Sequence, residues 1–279
     1  ISFIPTHYAA TRFIPHTPSD ARLADLDGDG LSDKAIGRWP VRTQGDLQAI
    51  VDKTIAWSND PQVLSNAAFV TDTQDPSSGS FTGQAEGLIS MLQTAGWTDT
   101  ELARVYYDEL SADPGLSIAD TARVDLFERL ETGRSLTGFI GHGSPSMWTF
   151  QGLLVPDDLN DLYNEGAPTL IGTMTCYTSY FVSPYSDTVA HRWMNGYRED
   201  AMGNAIPGVA NGAVAVHGAA TLSNYDQNGQ FAGDVLDFQL AGSTLGEAVH
   251  LARQEAAQRG TADLVINWIL LGDPTLRID

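Results

Sequence analysis

Cysteine occurs once in this chain, at Cys176, and lysine only at Lys34 and Lys53. A lone thiol excludes an intramolecular disulfide, and the thiol itself reads either as a small buried hydrophobe or as a nucleophile. Positive charge is scarce: 15 basic residues face 35 acidic ones, for a net charge of −20. Such a surface repels phosphate, which argues against nucleic acid as a partner. Its acidic, lysine-poor character predicts a secreted or cell-surface protein. No apolar run approaches the roughly 18 residues of a membrane-spanning helix, so a soluble chain with no membrane span is expected. The sequence starts at Ile1 with neither Met nor an apolar leader, as a trimmed piece of a longer chain would.

Several catalytic signatures are missing too. There is no G-x-S-x-G elbow, no G-x-x-x-x-G-K-[ST] loop, no G-x-G-x-x-G and no H-E-x-x-H. Serine hydrolases, P-loop NTPases, dinucleotide enzymes and zincins all lose weight accordingly.

What is present alternates between strand and helix. "KAIGRWPV" reads as a strand, followed by an amphipathic helix with Thr43 as its N-cap. "NAAFVTD" is a buried strand, and "GQAEGLISMLQTAG" a helix behind a polar loop. "ELARVYYDEL" is ambiguous, with strand character over 104–107, and a helix opened by Ser117 ends at Gly133. "LTGFIGHG", "APTLIGTMTC" and "GAVAVHGAA" are strands; "PDDLNDLYN", "DTVAHRWMN" and "LGEAVHLARQEAAQRG" are helices; "LVINWILLGDPTLRI" closes the chain as a strand. This pattern predicts an α/β fold, a mostly parallel sheet covered on both faces. Residues 1–24 are expected to be irregular, with one domain over 25–279.

Chemistry in such sheets sits beyond the carboxyl ends of the strands. His142 lies there between two glycines, and Cys176 ends a later strand. A thiolate next to an imidazole is a nucleophile with its base. The glycines allow close backbone approach, and the N–H groups of Gly143 and Cys176 are candidate oxyanion donors. Trp148 stands near enough in sequence to line the cleft. His217 reads as core or pocket wall, His191 and His250 as packing or surface residues, and His7 and His16 carry no signal.

"DLDGDGLSD" places Asp25, Asp27 and Asp29 with Gly30 as in the first half of an EF-hand loop, with Asp33 at the ninth position and Ile36 where the bidentate glutamate would be. Crowded carboxylates repel unless a cation lies among them, so structural calcium is expected. A second ion at 224–230 is the weaker reading beside an Asx/Gly turn.

Five segments in order, "DGDGLSDKAIGRWPVRT", "FIGHGSPSMW", "TMTCYTSYF", "GAVAVHGAATLSNY" and "LLGDPTLRI", resemble the gingipain family of cysteine peptidases. The resemblance implies a caspase-like αβα sandwich and a cysteine endopeptidase acting on protein or peptide substrates. In it Cys176 is the nucleophile and His142 the general base and acid. An acidic residue orients the histidine, Asp72 by position with Asp75 as the alternative. The family's arginine-cleaving members carry an aspartate in the primary pocket; the matching position lies near Thr82, with Tyr225 at the aromatic wall, so small or medium uncharged P1 residues are expected. A maturation module and a non-catalytic binding domain on the same scaffold are the alternative readings.

Overall fold

The computed structural model describes residues 4–59, 64, 66–133, 135–184 and 186–278. Its centre is a six-stranded sheet in the order β10–β9–β8–β5–β3–β4. The strands are β3 (Asn66–Thr71), β4 (Leu102–Tyr106), β5 (Ser135–Ile140), β8 (Thr169–Met174), β9 (Ala213–Ala219) and β10 (Trp268–Gly272). Neighbours pair in parallel, except that β10 runs antiparallel to β9.

Strand residues point alternately to the two faces, which gives the sheet two cores. Ala67 and Phe69 join one apolar cluster, Ala68 and Val70 the other. Helices α2 (Phe81–Thr94), α5 (Tyr225–Leu240) and α6 (Leu245–Gln258) cover the Phe69 side. The opposite side is packed by α1 (Gln44–Asn59), α3 (Ile118–Glu131) and α4 (Val189–Asn195). The result is a three-layer αβα sandwich. Hydroxyl and amide caps start the helices: Ser80 for α2, Ser117 for α3, Thr188 for α4, Asn224 for α5 and Thr244 for α6. Each satisfies an N–H that the first turn leaves without a partner. Among the described residues no helix is long and apolar enough to cross a membrane.

The segment before Asp25 packs onto this body. Its strands β1 (Tyr8–Ala9) and β2 (Thr17–Pro18) pair with each other, and Thr17 Oγ1 meets Thr221 Oγ1 at 3.0 Å. Asp20 and Arg38 form a buried bidentate ion pair, with Arg38 Nε 2.9 and 3.0 Å from the two carboxylate oxygens. Removing either partner would strand a buried charge, at a cost of about 3–5 kcal/mol.

Three expectations need correction. "KAIGRWPV" is not a strand: only Arg38 bridges to Leu271, and Pro40, which lacks an N–H, ends the run. Residues 224–230 are not a turn but the cap and first turns of α5, where Asn224 accepts the Gln227 N–H at 3.2 Å. The closing run is split, with a short helix α7 (Ala262–Asn267) before β10.

Candidate active site

β5 and β8 lie side by side in parallel, with Ile140 opposite Met174. His142 follows β5 and Cys176 follows β8 by the same two-residue step, so register alone brings them to one end of adjacent strands. The glycines around His142 answer to close packing. A Cβ on Gly141 would lie 2.3 Å from Asp72 Cβ. On Gly143 it would lie 2.9 Å from Cys176 O, Thr175 Oγ1 and Thr178 Cγ2 alike. Only glycine lets the histidine segment rest on the cysteine segment.

Beyond His142 the chain turns back as a short hairpin, β6 (Gly143–Ser144) with β7 (Met147–Trp148). Thr149 N–H donates to His142 O at 2.9 Å, which makes Gly143 and Trp148 a non-hydrogen-bonded pair. The Gly143 N–H is thereby turned away from the hairpin. Cys176 N–H has no hydrogen-bond partner among the described residues, and Tyr177, just after it, has φ of 62°. Both N–H groups expected as oxyanion donors are therefore uncommitted among the described residues.

The two candidate carboxylates divide the work differently from the expectation. Asp72 is 2 % exposed and accepts main-chain N–H groups, from His142 at 3.0 Å and Thr73 at 2.7 Å. Burial raises its carboxyl above the usual range. It positions the His142 backbone and does not meet the ring. The carboxylate at the imidazole is Asp75, with Oδ2 3.3 Å from His142 Nε2. Hydrogen bonds from the Ser77 N–H and hydroxyl, with the His142 ring beyond them, hold Asp75 below the usual carboxylate range.

Trp148 also departs from expectation. It is wholly buried, its ring stacked on Phe139 at 4.4 Å between centroids, so it cannot line the cleft. The exposed aromatic is Phe150, 78 % accessible, stacked on the His142 ring at 4.8 Å. Thr149, with φ of 61°, reverses the chain between the two. Phe81 also meets the imidazole, with ring planes perpendicular and centroids 5.5 Å apart, and packs equally close to Tyr225. Tyr225 donates its hydroxyl to Ser80 O at 2.5 Å, while Thr82 Oγ1 lies 3.2 Å from Ser80 Oγ. Thr82 and Tyr225 thus both meet Ser80, with Phe81 between Tyr225 and the histidine, and the first turn of α2 carries no acidic residue.

Cys176 Sγ is surrounded by Ser223: its N–H at 3.5 Å, its hydroxyl at 3.8 Å and its carbonyl at 3.7 Å. Among the described residues no hydrogen bond joins Sγ to the imidazole, a contact that often closes only with substrate. Phe81 and Phe150 carried no periodic or motif signal in the sequence, and Ser223, although inside the segment "GAVAVHGAATLSNY", was not singled out there. His217 is buried, accepts Trp268 Nε1–H at 3.3 Å and is pushed down to about 4 by burial, so it is a neutral core residue.

In the acidic loop, one oxygen each of Asp25, Asp27 and Asp29 lie within 4.8 Å of one another. Oxygens about 2.3–2.6 Å from a common calcium ion reach such separations, so this trio fits the ion. Gly28 and Gly30 make the turn at φ of 81° and 96°. Asp33 stands outside the trio: its carboxylate accepts the Leu26 N–H at 2.6 Å.

A family profile described as Peptidase family C25 matches residues 2–279. The crystal structure of the Arg-specific cysteine proteinase gingipain R superposes with a TM-score of 0.77 at 18% identity, over 97% of this chain and 61% of that one. The complex of Porphyromonas gingivalis RgpB pro- and mature domains gives 0.76 at 17% identity, over 97% and 62%. Separase in the Saccharomyces cerevisiae separase–securin complex gives 0.50 at 11%, over 80% and 13%. The chain therefore spans less than two thirds of the gingipain chains, and these likenesses show a caspase-like fold. Among curated protein sequences none matches.

Proposed function

This chain belongs to peptidase family C25, and on that premise we propose that it is a cysteine endopeptidase in which Cys176 and His142 form the catalytic dyad. The observation that carries this reading is the Ile140–Met174 register, which brings the only thiol and the glycine-flanked imidazole to the same end of two adjacent strands. The Cys176 S–H proton passes to His142, and the sulfur forms a bond to the scissile carbonyl carbon. Gly143 N–H and Cys176 N–H receive the developing oxyanion. The imidazolium returns its proton to the leaving amine as the C–N bond breaks, leaving a thioester. His142 then takes a proton from water, whose oxygen displaces the sulfur, and the thiol is restored. Asp75 stabilises the imidazolium, and Asp72 holds the histidine backbone.

A buried guanidinium without a carboxylate costs several kcal/mol. The hydroxyl and aromatic groups of Thr82 and Tyr225 therefore favour uncharged P1 residues over arginine. Asp25, Asp27 and Asp29 would hold a structural calcium ion, with Asp33 bracing the loop through Leu26. The lysine-poor, acidic surface supports an extracellular location.

Purified chain, Cys176→Ala and His142→Ala are to be compared on a peptide library with varied P1. Both substitutions should abolish cleavage, because the pair acts as a unit. Retention of more than about a hundredth of the rate by either variant would refute the dyad.

A further inference from the structure

We propose that Ser223 is a catalytic residue that stabilises the Cys176 thiolate, with Asn228 as its positioning residue; this deepens the dyad reading and rests on it. Ser223 meets Sγ with a carbonyl at 3.7 Å and with two donors, its N–H at 3.5 Å and its hydroxyl at 3.8 Å. The carbonyl accepts the thiol proton while sulfur is neutral. Once that proton has gone to His142, the two donors face the negative charge.

The donating sense of the hydroxyl is built in. Asn228, 2 % exposed, donates Nδ2–H to Ser223 Oγ at 2.8 Å. An oxygen that accepts there keeps its own proton for the other side, where Cys176 Sγ lies at 3.8 Å and Thr175 O at 3.4 Å. Ser223 also directly precedes Asn224, the N-cap of the 16-residue helix α5, so the positive end of that helix adjoins the sulfur.

The loop bearing Ser223 is clamped by Asn267, which is fully buried. Asn267 accepts Ala220 N–H on its carbonyl at 2.9 Å and Thr221 N–H on Oδ1 at 2.8 Å, and donates to Leu222 O at 3.0 Å. Thr221 O in turn accepts Tyr177 N–H at 3.2 Å. One buried amide therefore sets the distance between the serine loop and the cysteine turn.

The test is the rate of Cys176 alkylation by iodoacetamide as a function of pH, followed by mass spectrometry. Cys176 is the only cysteine, so the label is unambiguous. Ser223→Ala should slow alkylation near neutral pH about five-fold, the effect of one long hydrogen bond to an anion, and move the rate profile to the alkaline side. Asn228→Asp should do the same, since a carboxylate would draw the hydroxyl proton away from sulfur. Ser223→Thr should restore the profile. Thermal melts verify folding, and Ser223→Ala alone decides if Asn228→Asp does not fold. An unchanged profile in folded Ser223→Ala overturns the proposal. Alkylation needs no peptide substrate, so it is read independently of hydrolysis. A chain that cleaves nothing counts against the dyad, and an unchanged profile counts against Ser223.

Discussion

Replacing Gly143 with alanine tests the apposition on which the site depends. Gly143 is not in the left-handed region, so the cost comes from contact alone. The new methyl would lie 2.9 Å from Cys176 O, Thr175 Oγ1 and Thr178 Cγ2, where ordinary contact begins about half an ångström further out. None of the three is the far end of a flexible side chain. Relief must come from moving the histidine segment away from the cysteine segment. Overpacking of this kind costs about 1–3 kcal/mol of stability. A displacement approaching 1 Å at reacting groups can cost about a hundredfold in rate. Gly87→Ala is the matched control: it lies inside α2, a Cβ there meets nothing within 4 Å, and it should stabilise by about 0.5–1 kcal/mol with full activity. Urea denaturation gives the stabilities, and steady-state kinetics on one good peptide gives kcat and KM. For Gly143→Ala we expect lower stability and a loss mainly in kcat. Wild-type kcat at wild-type stability would mean that the two strand ends are not apposed as described.

The two carboxylates should separate in the same assays. Asp75→Asn should lower kcat by roughly ten-fold or more with little change in KM or melting temperature, as expected of a group that meets the imidazolium. Asp72→Asn should instead cost about 1–3 kcal/mol of stability, because an amide cannot accept both the His142 and Thr73 N–H bonds. The reverse pattern would return the orienting role to Asp72. Calcium at a hundred times its dissociation constant should add about 2.7 kcal/mol to stability. Chelator should therefore lower the melting temperature, and Asp27→Ala with Asp29→Ala should abolish that response; a melt indifferent to both additions would refute the site. His217 is pushed down to about 4 from its ordinary 6.5. Between those values the unfolded chain binds a proton that the folded chain does not, so this contribution to stability is present above 6.5 and lost as pH falls toward 4. His217→Gln should flatten the acid limb of a stability–pH curve, and an unaltered limb would show that this histidine is not held neutral.

Much of the fold could be read from local pattern. Continuous apolar runs marked β3, β5, β8 and β9, whose two faces are both buried, and Thr43, Ser117 and the "GLISML" periodicity marked helices, because burial of one helix face leaves a repeat in the residues. Where a single side chain overrode the pattern, the reading failed. The apolar look of "KAIGRWPV" concealed the burial of Arg38 against Asp20, and the glycine and asparagine of 224–230 concealed a helix that Asn224 caps. Trp148 failed for a related reason. Its nearness to His142 in sequence said nothing of the reversal at Thr149, which sends Trp148 into the core and Phe150 over the imidazole.

The residue types and their glycine setting were enough to single out His142, Cys176 and the Asp25–Asp27–Asp29 loop as candidates, since a thiol, an imidazole and clustered carboxylates are recognisable by residue type alone. Which groups touch was set by long-range packing. The β5–β8 register brought 142 to 176, and a loop outside any repeat carried Asp75 rather than Asp72 to the ring. The buried amides of Asn228 and Asn267 placed Ser223 at the sulfur. Periodicity records whether a residue faces core or solvent. It carries no term for the partner across a hydrogen bond, which is chosen by ångström-scale contacts between segments far apart in the chain.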